Sequence, residues 1–291
     1  MYLPHFEYLA PDTAEELVAV LSQHEGKAQI LAGGTDLLGL MKNRQLRPDF
    51  VVDINRVASM SGIVEDADGS MLIGAATKLI DMMAAPLIRE RYPALCEAVR
   101  TIGSVQVRST GSLGGNICNA SPAADSPPAL IALGARVNLL SQRGQRQMSV
   151  EDFITGNGQT ALAVDECLES IVLPSPLPHS VCVFDHVARR DAMEIALVNV
   201  AVNVALVPGS GDVDQARIVM GGVGPHPIRA VQAEQLLHGN QPGIDLIEQT
   251  AVAAAADAQP RDDFRASAVY KREMTRVLVN RTLRAAIAGI E

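Results

Sequence analysis

Two glycine-rich stretches carry the residues whose types and spacing could do chemistry. The first, "ILAGGTDLL" at 30–38, runs from an apolar segment into Gly33-Gly34 and then into Thr35 and Asp36. Paired glycines after a strand let successive backbone N–H groups turn toward one space. A helical turn starting at Thr35 and Asp36 would add further free N–H groups that favour an anion. The chemistry would be the cradling of a pyrophosphate. No Lys-Ser/Thr pair follows at Walker spacing and the pattern is not GxGxxG, so taken alone the stretch also reads as an ordinary tight turn. The second, "STGSLGGNICNASPAADSPPAL" at 109–130, is poor in charge and rich in glycine, asparagine and small hydroxyls. Such a composition should break a helix, and it leaves a buried strand too little side chain to pack. It suits a bent backbone that something approaches closely. Ser112, Gly114, Gly115 and Asn116 offer hydroxyl, backbone and amide groups in one bend, with Ser121, Pro122 and Asp125 within reach of a second turn. Two readings stay open: a loop held by its own side-chain turns, or a second wall of one ligand site shared with the first stretch.

Other chemistries find less support. The four cysteines (Cys96, Cys118, Cys167, Cys182) lie far apart with no CxxC spacing, so neither zinc nor an iron–sulfur cluster follows, and a reducing compartment is implied. The histidines are dispersed, and no Ser/His/Asp set has a spacing that argues for hydrolysis. With a formal net charge of −9, no Trp and 3% aromatic residues, the chain lacks the basic clusters and stacking platforms of a nucleic-acid binder. The N-terminus has no basic segment followed by an apolar core. The longest mostly apolar run, "IALVNVAVNVALV" at 195–207, carries Asn199 and Asn203 and is too short to span a bilayer as a helix. A cytoplasmic protein is expected.

The positioning elements can be read from periodicity and punctuation. With 291 residues, 48% of them apolar, there is enough chain for more than one core. Thr13 and Glu16 form a capping box ahead of a helix over 14–24 that stops at Gly26. "AQILAGG" reads as a buried strand running into a glycine turn, with a helical segment in "DLLGLMK". Strands are predicted at 49–55, 71–77, 135–141 and 167–174, and helical spacing over 78–100 is interrupted at Pro86 and Pro93. After the proline-punctuated link at 173–180 the character changes. Strands at 181–188, 195–207 and 215–222 precede Ala- and Leu-rich helices from about 229 onward. The class is α+β, with a boundary near 176.

In order along the chain, "ILAGGTDLL", "GSLGGNICNASPAADSPPALIALGA", "VARRDAMEIALVNVAV", "VMGGVGPHPIRA" and "FRASAVYKREMTRVLVNRTL" resemble the FAD-binding medium subunit of molybdenum hydroxylases. That is the flavoprotein family of xanthine dehydrogenase and carbon monoxide dehydrogenase. The resemblance implies a two-lobed FAD-binding domain of the vanillyl-alcohol-oxidase (PCMH) type over 1–176, with lobes of about 1–57 and 58–176. A small C-terminal domain of antiparallel sheet and helices would follow over 177–291. It implies that Ala32, Gly33, Gly34, Thr35 and Asp36 surround the FAD pyrophosphate with Leu37 alongside. Ser112, Gly115 and Asn116 would contact phosphate and ribityl, Cys118 and Asp125 would lie near the adenosine half, and Leu168 would pack beside the flavin ring.

The resemblance also places the molybdopterin cofactor on a large partner subunit and [2Fe–2S] clusters on a small one, in a dimer of heterotrimers. Electrons would pass from the clusters to FAD and on to an external acceptor. No cysteine-rich inserted loop follows Cys118, which favours the plain electron-transfer form. One departure stands out: where relatives often have a lysine before the Arg-Arg pair, "FDHVARR" supplies Asp185 and His186. A stand-alone FAD oxidoreductase on the same fold is the alternative, although no acid/base residue stands out to serve a substrate over the ring. A scaffold that binds no flavin is disfavoured by the intact glycines.

Overall fold

The computed structural model describes residues 2–290. The chain begins with a parallel sheet of β1 (Glu7–Leu9), β2 (Ala28–Leu31) and β3 (Phe50–Asp53), in the order β1-β3-β2. Between β1 and β2 runs α1 (Ala14–Gln23). It starts at Thr13, whose hydroxyl accepts the Glu16 N–H at 3.2 Å, and the Glu16 carboxylate reaches back to the N–H of Asp12 at 2.9 Å. Leu17, Val18 and Leu21 form its buried face. After the glycine turn comes α2 (Leu37–Lys42).

The next unit opens with β4 (Ile63–Glu65) and β5 (Met71–Gly74), followed by six short helices: α3 (Leu79–Ala84), α4 (Pro86–Arg91), α5 (Pro93–Arg100), α6 (Val105–Thr110), α7 (Leu113–Cys118) and α8 (Ser126–Ala132). Then come β6 (Arg136–Ser141), β7 (Gly144–Ser149), α9 (Val150–Phe153), the short pair β8 (Ile154–Gly156) and β9 (Gln159–Thr160), and β10 (Cys167–Leu173). The antiparallel sheet has the order β4-β5-β10-β6-β7. Pro86 and Pro93 each occupy the first turn of a new helix, where the missing N–H costs nothing.

The stretch at 109–130 corrects one expectation: much of it is helical. Ser112 caps α7 by accepting the Gly115 N–H at 3.1 Å, and Gly114 lets that helix lie directly on the backbone of Ala75. In α8 the prolines fall in the first turn. Here Gly114 serves close packing of a helix.

The last unit is an antiparallel sheet of β11 (Ser180–Val187), β12 (Val198–Leu206), β13 (Val213–Gly221) and β14 (Ile228–Arg229), joined in chain order. On it pack α10 (Val231–Leu237), α11 (Ile244–Asp257) and α12 (Ala268–Ala288). Strand β12 shows why "VNVAVNVAL" has its alternation. Val198, Val200, Val202 and Val204 enter the core under these helices, while Ala201 joins the core of the preceding unit. Asn199 and Asn203 face that unit too: Asn199 Nδ2 donates to Asp125 Oδ1 at 2.7 Å, and Asn203 Nδ2 to the carbonyl of Ala132 at 3.3 Å. The two asparagines in an apolar strand are thus hydrogen-bonded ties between two cores.

Candidate functional site

The first glycine stretch leaves β2 and turns sharply, with Gly34 at φ +69, a conformation that strains any residue with a Cβ. The N–H groups of Gly33, Gly34, Thr35 and Asp36 find no acceptor among the described residues. Gly33 lies so close to α6 that a Cβ there would sit 2.2 Å from the carbonyl oxygen of Thr110. The two glycine stretches therefore abut. Just before the turn, the carbonyl of Ala32 accepts from Asn55 Nδ2 at 2.9 Å.

The second stretch is arranged differently. At the start of α7 the N–H groups of Leu113 and Gly114 donate to the carbonyls of Thr77 and Ala75, at 3.1 and 3.0 Å. Gly115 is exposed, and the nearest atom to a Cβ there would be Ser112 Oγ at 3.1 Å. The side-chain oxygen of Asn116 accepts from Ser126 Oγ at 2.6 Å. Burial pushes the Cys118 thiol up to about 12, which leaves it a neutral wall atom. The Asp125 carboxyl is likewise raised by burial, against the stabilising bond from Asn199. Leu168 sits in β10 opposite Leu139 of β6, just before the register shifts at Glu169, and its side chain is buried in the core at the cleft's edge.

All twelve residues expected at the site, Ala32, Gly33, Gly34, Thr35, Asp36, Leu37, Ser112, Gly115, Asn116, Cys118, Asp125 and Leu168, line one cleft of about 690 Å³. Further walls come from segments without a sequence signal of their own. Leu162, Ala163 and Val164 precede β10, and Glu194 with Ile195 reach in from the hairpin between β11 and β12. Within the quoted "VARRDAMEIALVNVAV" these two had no assigned role. Both basic residues of that hairpin turn to Glu194, Arg189 at 3.3 Å and Arg190 at 2.9 Å. Asp185 pairs with Arg281 at 3.0 Å, and His186, parallel to the ring of Phe184, is not among the cleft walls.

The electrostatics of the cleft are one-sided. Asp36, Asp125, Glu166 and Glu194 line it, and among the described residues no Lys or Arg does. Bonding from Arg146 holds the Glu166 carboxyl below the usual range. A diphosphate here must rely on backbone N–H groups rather than on lining cations. The turn at Gly33–Asp36 supplies four such groups that no described residue uses, next to a space of the size that takes a cofactor. The residues present fit FAD.

A two-lobed unit with such a cleft, followed by an antiparallel sheet backed by helices, defines a two-domain FAD-binding flavoprotein. Residues 4–176 match the FAD binding domain in molybdopterin dehydrogenase, and residues 183–286 match the CO dehydrogenase flavoprotein C-terminal domain. The glyceraldehyde dehydrogenase medium chain of Sulfolobus acidocaldarius is 33% identical over 278 residues, which cover 96% of this chain and 97% of the relative. The xanthine dehydrogenase FAD-binding subunit of Escherichia coli is 31% identical over 264 residues, 90% of each chain. Among solved structures, a carbon monoxide dehydrogenase from Hydrogenophaga pseudoflava that lacks the Mo-pyranopterin moiety of its cofactor superposes with a TM-score of 0.94. It is 34% identical, with 99% of both chains covered. This chain belongs to the family of FAD-binding subunits of molybdopterin dehydrogenases, and it is an oxidoreductase component. No described helix is long and apolar enough to cross a membrane.

Proposed function

We propose that this chain is the electron-transfer flavoprotein subunit of a heteromeric molybdenum hydroxylase, with residues 1–176 holding FAD and 177–291 completing its cleft. The observation that carries the reading is that eleven residues of the two glycine stretches, together with Leu168, line a single cleft whose turn offers N–H donors that no described residue uses. FAD, when bound, supplies the redox chemistry, accepting electrons singly or in pairs. The chain's own part is grip and orientation. Gly33, Gly34, Thr35 and Asp36 offer N–H groups to the diphosphate, with Ala32 and Leu37 shaping the turn. Ser112, Gly115 and Asn116 face the phosphate and ribityl portion, and Cys118 and Asp125 the adenosine half. Leu168 gives the ring an apolar wall and excludes water there. The electron source would be [2Fe–2S] clusters on a small partner subunit, fed by a molybdopterin centre on a large one, within a dimer of heterotrimers.

Native purification tests this reading. The chain should co-purify with one cysteine-rich and one much larger subunit, with iron and molybdenum present by elemental analysis. Acid precipitation should release all flavin as FAD, since no His or Cys stands in a flavin-linking motif. Recovery as a lone, metal-free protein whose flavin is reduced directly by an organic substrate would establish the stand-alone oxidoreductase instead.

A further inference from the structure

The glycine turn is held from behind by a chain of hydrogen bonds that crosses between the two lobes. Tyr8 Oη donates to Asp53 Oδ2 at 2.6 Å, and Asp53 Oδ1 accepts from the backbone N and the Nδ2 of Asn55 at 2.8 and 2.6 Å. Asn55 Nδ2 also donates to the carbonyl of Ala32, the last residue before Gly33. On its other side, Asn55 Oδ1 accepts from Lys78 Nζ at 2.8 Å. Lys78 belongs to the turn between β5 and α3, which clamps the second glycine stretch. Residues 78 and 112 form a β-bridge, and flanking it Leu79 N donates to Gly111 O at 2.9 Å and Leu113 N to Thr77 O at 3.1 Å. Lys78 thus touches the second stretch through its backbone and the first through Asn55.

The charge of this lysine answers a need set by the cleft. Four acidic residues line the space, and although Arg146 offsets Glu166 and Arg189 and Arg190 offset Glu194 from outside it, no described Lys or Arg faces the cleft where a diphosphate would bring further negative charge. The ammonium of Lys78 donates to an amide oxygen and makes no direct ion pair among the described residues, although the Asp53 carboxylate lies close enough to feel its charge. Orienting Asn55 fixes the peptide at Ala32, whose plane sets the direction of the next N–H, that of Gly33.

We propose that Lys78 and Asn55 are positioning residues for diphosphate recognition. Asn55 sets the orientation of the Gly33–Asp36 turn, and Lys78 locks Asn55 while supplying the positive charge that the cleft walls lack. The proposal rests on the assignment of FAD to this cleft. Neither residue need touch the cofactor, and both act through the carbonyl of Ala32 and through the local field.

The test compares FAD with riboflavin, which lacks phosphate, on the full chain stripped of flavin, with binding followed by flavin fluorescence. Asn55→Ala and Lys78→Met should each weaken FAD roughly tenfold or more, the scale typical of removing a supporting group behind a ligand contact. Riboflavin binding should be unchanged, and the melting temperature of the flavin-free chain should fall by no more than a few degrees, the cost of the lost bonds around Asp53. The double variant should be little worse than the weaker-binding single one, because the two act in series. Lys78→Arg should recover most of the affinity. FAD affinity unchanged in both single variants would overturn the proposal, as would equal losses for FAD and riboflavin, the mark of a deformed wall. A wild-type chain that binds riboflavin and FAD equally would show that no diphosphate site exists at the turn. Failure of the wild type to bind either flavin would strike the assignment of the cleft itself.

Discussion

The two glycine stretches look alike as text and differ as structure. In the first, the backbone N–H groups of Gly33 to Asp36 have no acceptor among the described residues, and Gly34 takes a positive φ. In the second, the N–H groups at the head of α7 are already taken by Thr77, Ala75 and Ser112. The first is therefore a set of donors waiting for a partner, and the second is mainly a wall. The glycines within each stretch divide again by what a Cβ would meet. At Gly33 and Gly114 it would strike backbone of this same chain, whereas at Gly115 it would meet little but Ser112 Oγ and the open cleft. Absence of a side chain thus serves the fold at some positions and leaves room for a ligand at another.

The sharpest way to break this division is Gly114→Val. Its Cβ would fall 2.6 Å from both the carbonyl oxygen and the Cβ of Ala75, and neither has a flexible end that can swing away. Helix α7 would have to lift off the β5–α3 turn, at a cost of about 3 kcal/mol, with more for the branched side chain. Urea denaturation of the flavin-free chain should show a large fall in midpoint. A variant as stable as wild type would mean that Gly114 is not a packing glycine.

Much of the fold was legible because it rests on local periodicity. The Thr13–Glu16 start of α1, the prolines at the heads of α4 and α5, and the β-branched alternation of β12 are each written within a few residues. The helical character of 113–118 was not legible. Paired glycines disfavour a helix by propensity, and only contact with Ala75, far away in sequence, reverses the sign. The same holds for the site. The glycine turn announces itself, but Asn55, Lys78, Glu194 and Ile195 belong to it only through tertiary placement. A lone asparagine after a strand or a lysine in a turn carries no pattern to read.

A pH titration probes the first stretch with a smaller effect. Burial raises the Asp53 carboxyl, but the bonds from Tyr8 and Asn55 and the nearby Lys78 outweigh it, so its pKa lies below the ordinary 3.8. A carboxyl lowered in the folded state stabilises it fully above the unfolded value, and that contribution is lost as pH falls through the folded value. The Asn55–Ala32 support should therefore persist down through pH 4 and fail only in stronger acid. Asp53→Asn should remove this acid-sensitive component from the pH dependence of flavin-free stability. An identical acid limb in both proteins would show that Asp53 contributes nothing there.

The smallest expected change in stability is at Gly115, and it is the most informative about the ligand. Its backbone is ordinary for any residue, because its φ is not positive, and its position is exposed in the flavin-free chain. A methyl group there meets only Ser112 Oγ, a hydroxyl that can give by a few tenths of an ångström. Inside a helix alanine is favoured over glycine by up to about 1 kcal/mol, which offsets the close contact. Gly115→Ala should thus leave the melting temperature of the flavin-free chain within about 2 °C of wild type. FAD affinity should nevertheless fall, because the added methyl enters space the phosphate or ribityl portion would fill. Stability lost with FAD affinity unchanged would place Gly115 with Gly114 as a packing glycine and move the ligand away from the second stretch. Stability kept and affinity lost would separate the two kinds of glycine within a single pair of adjacent residues.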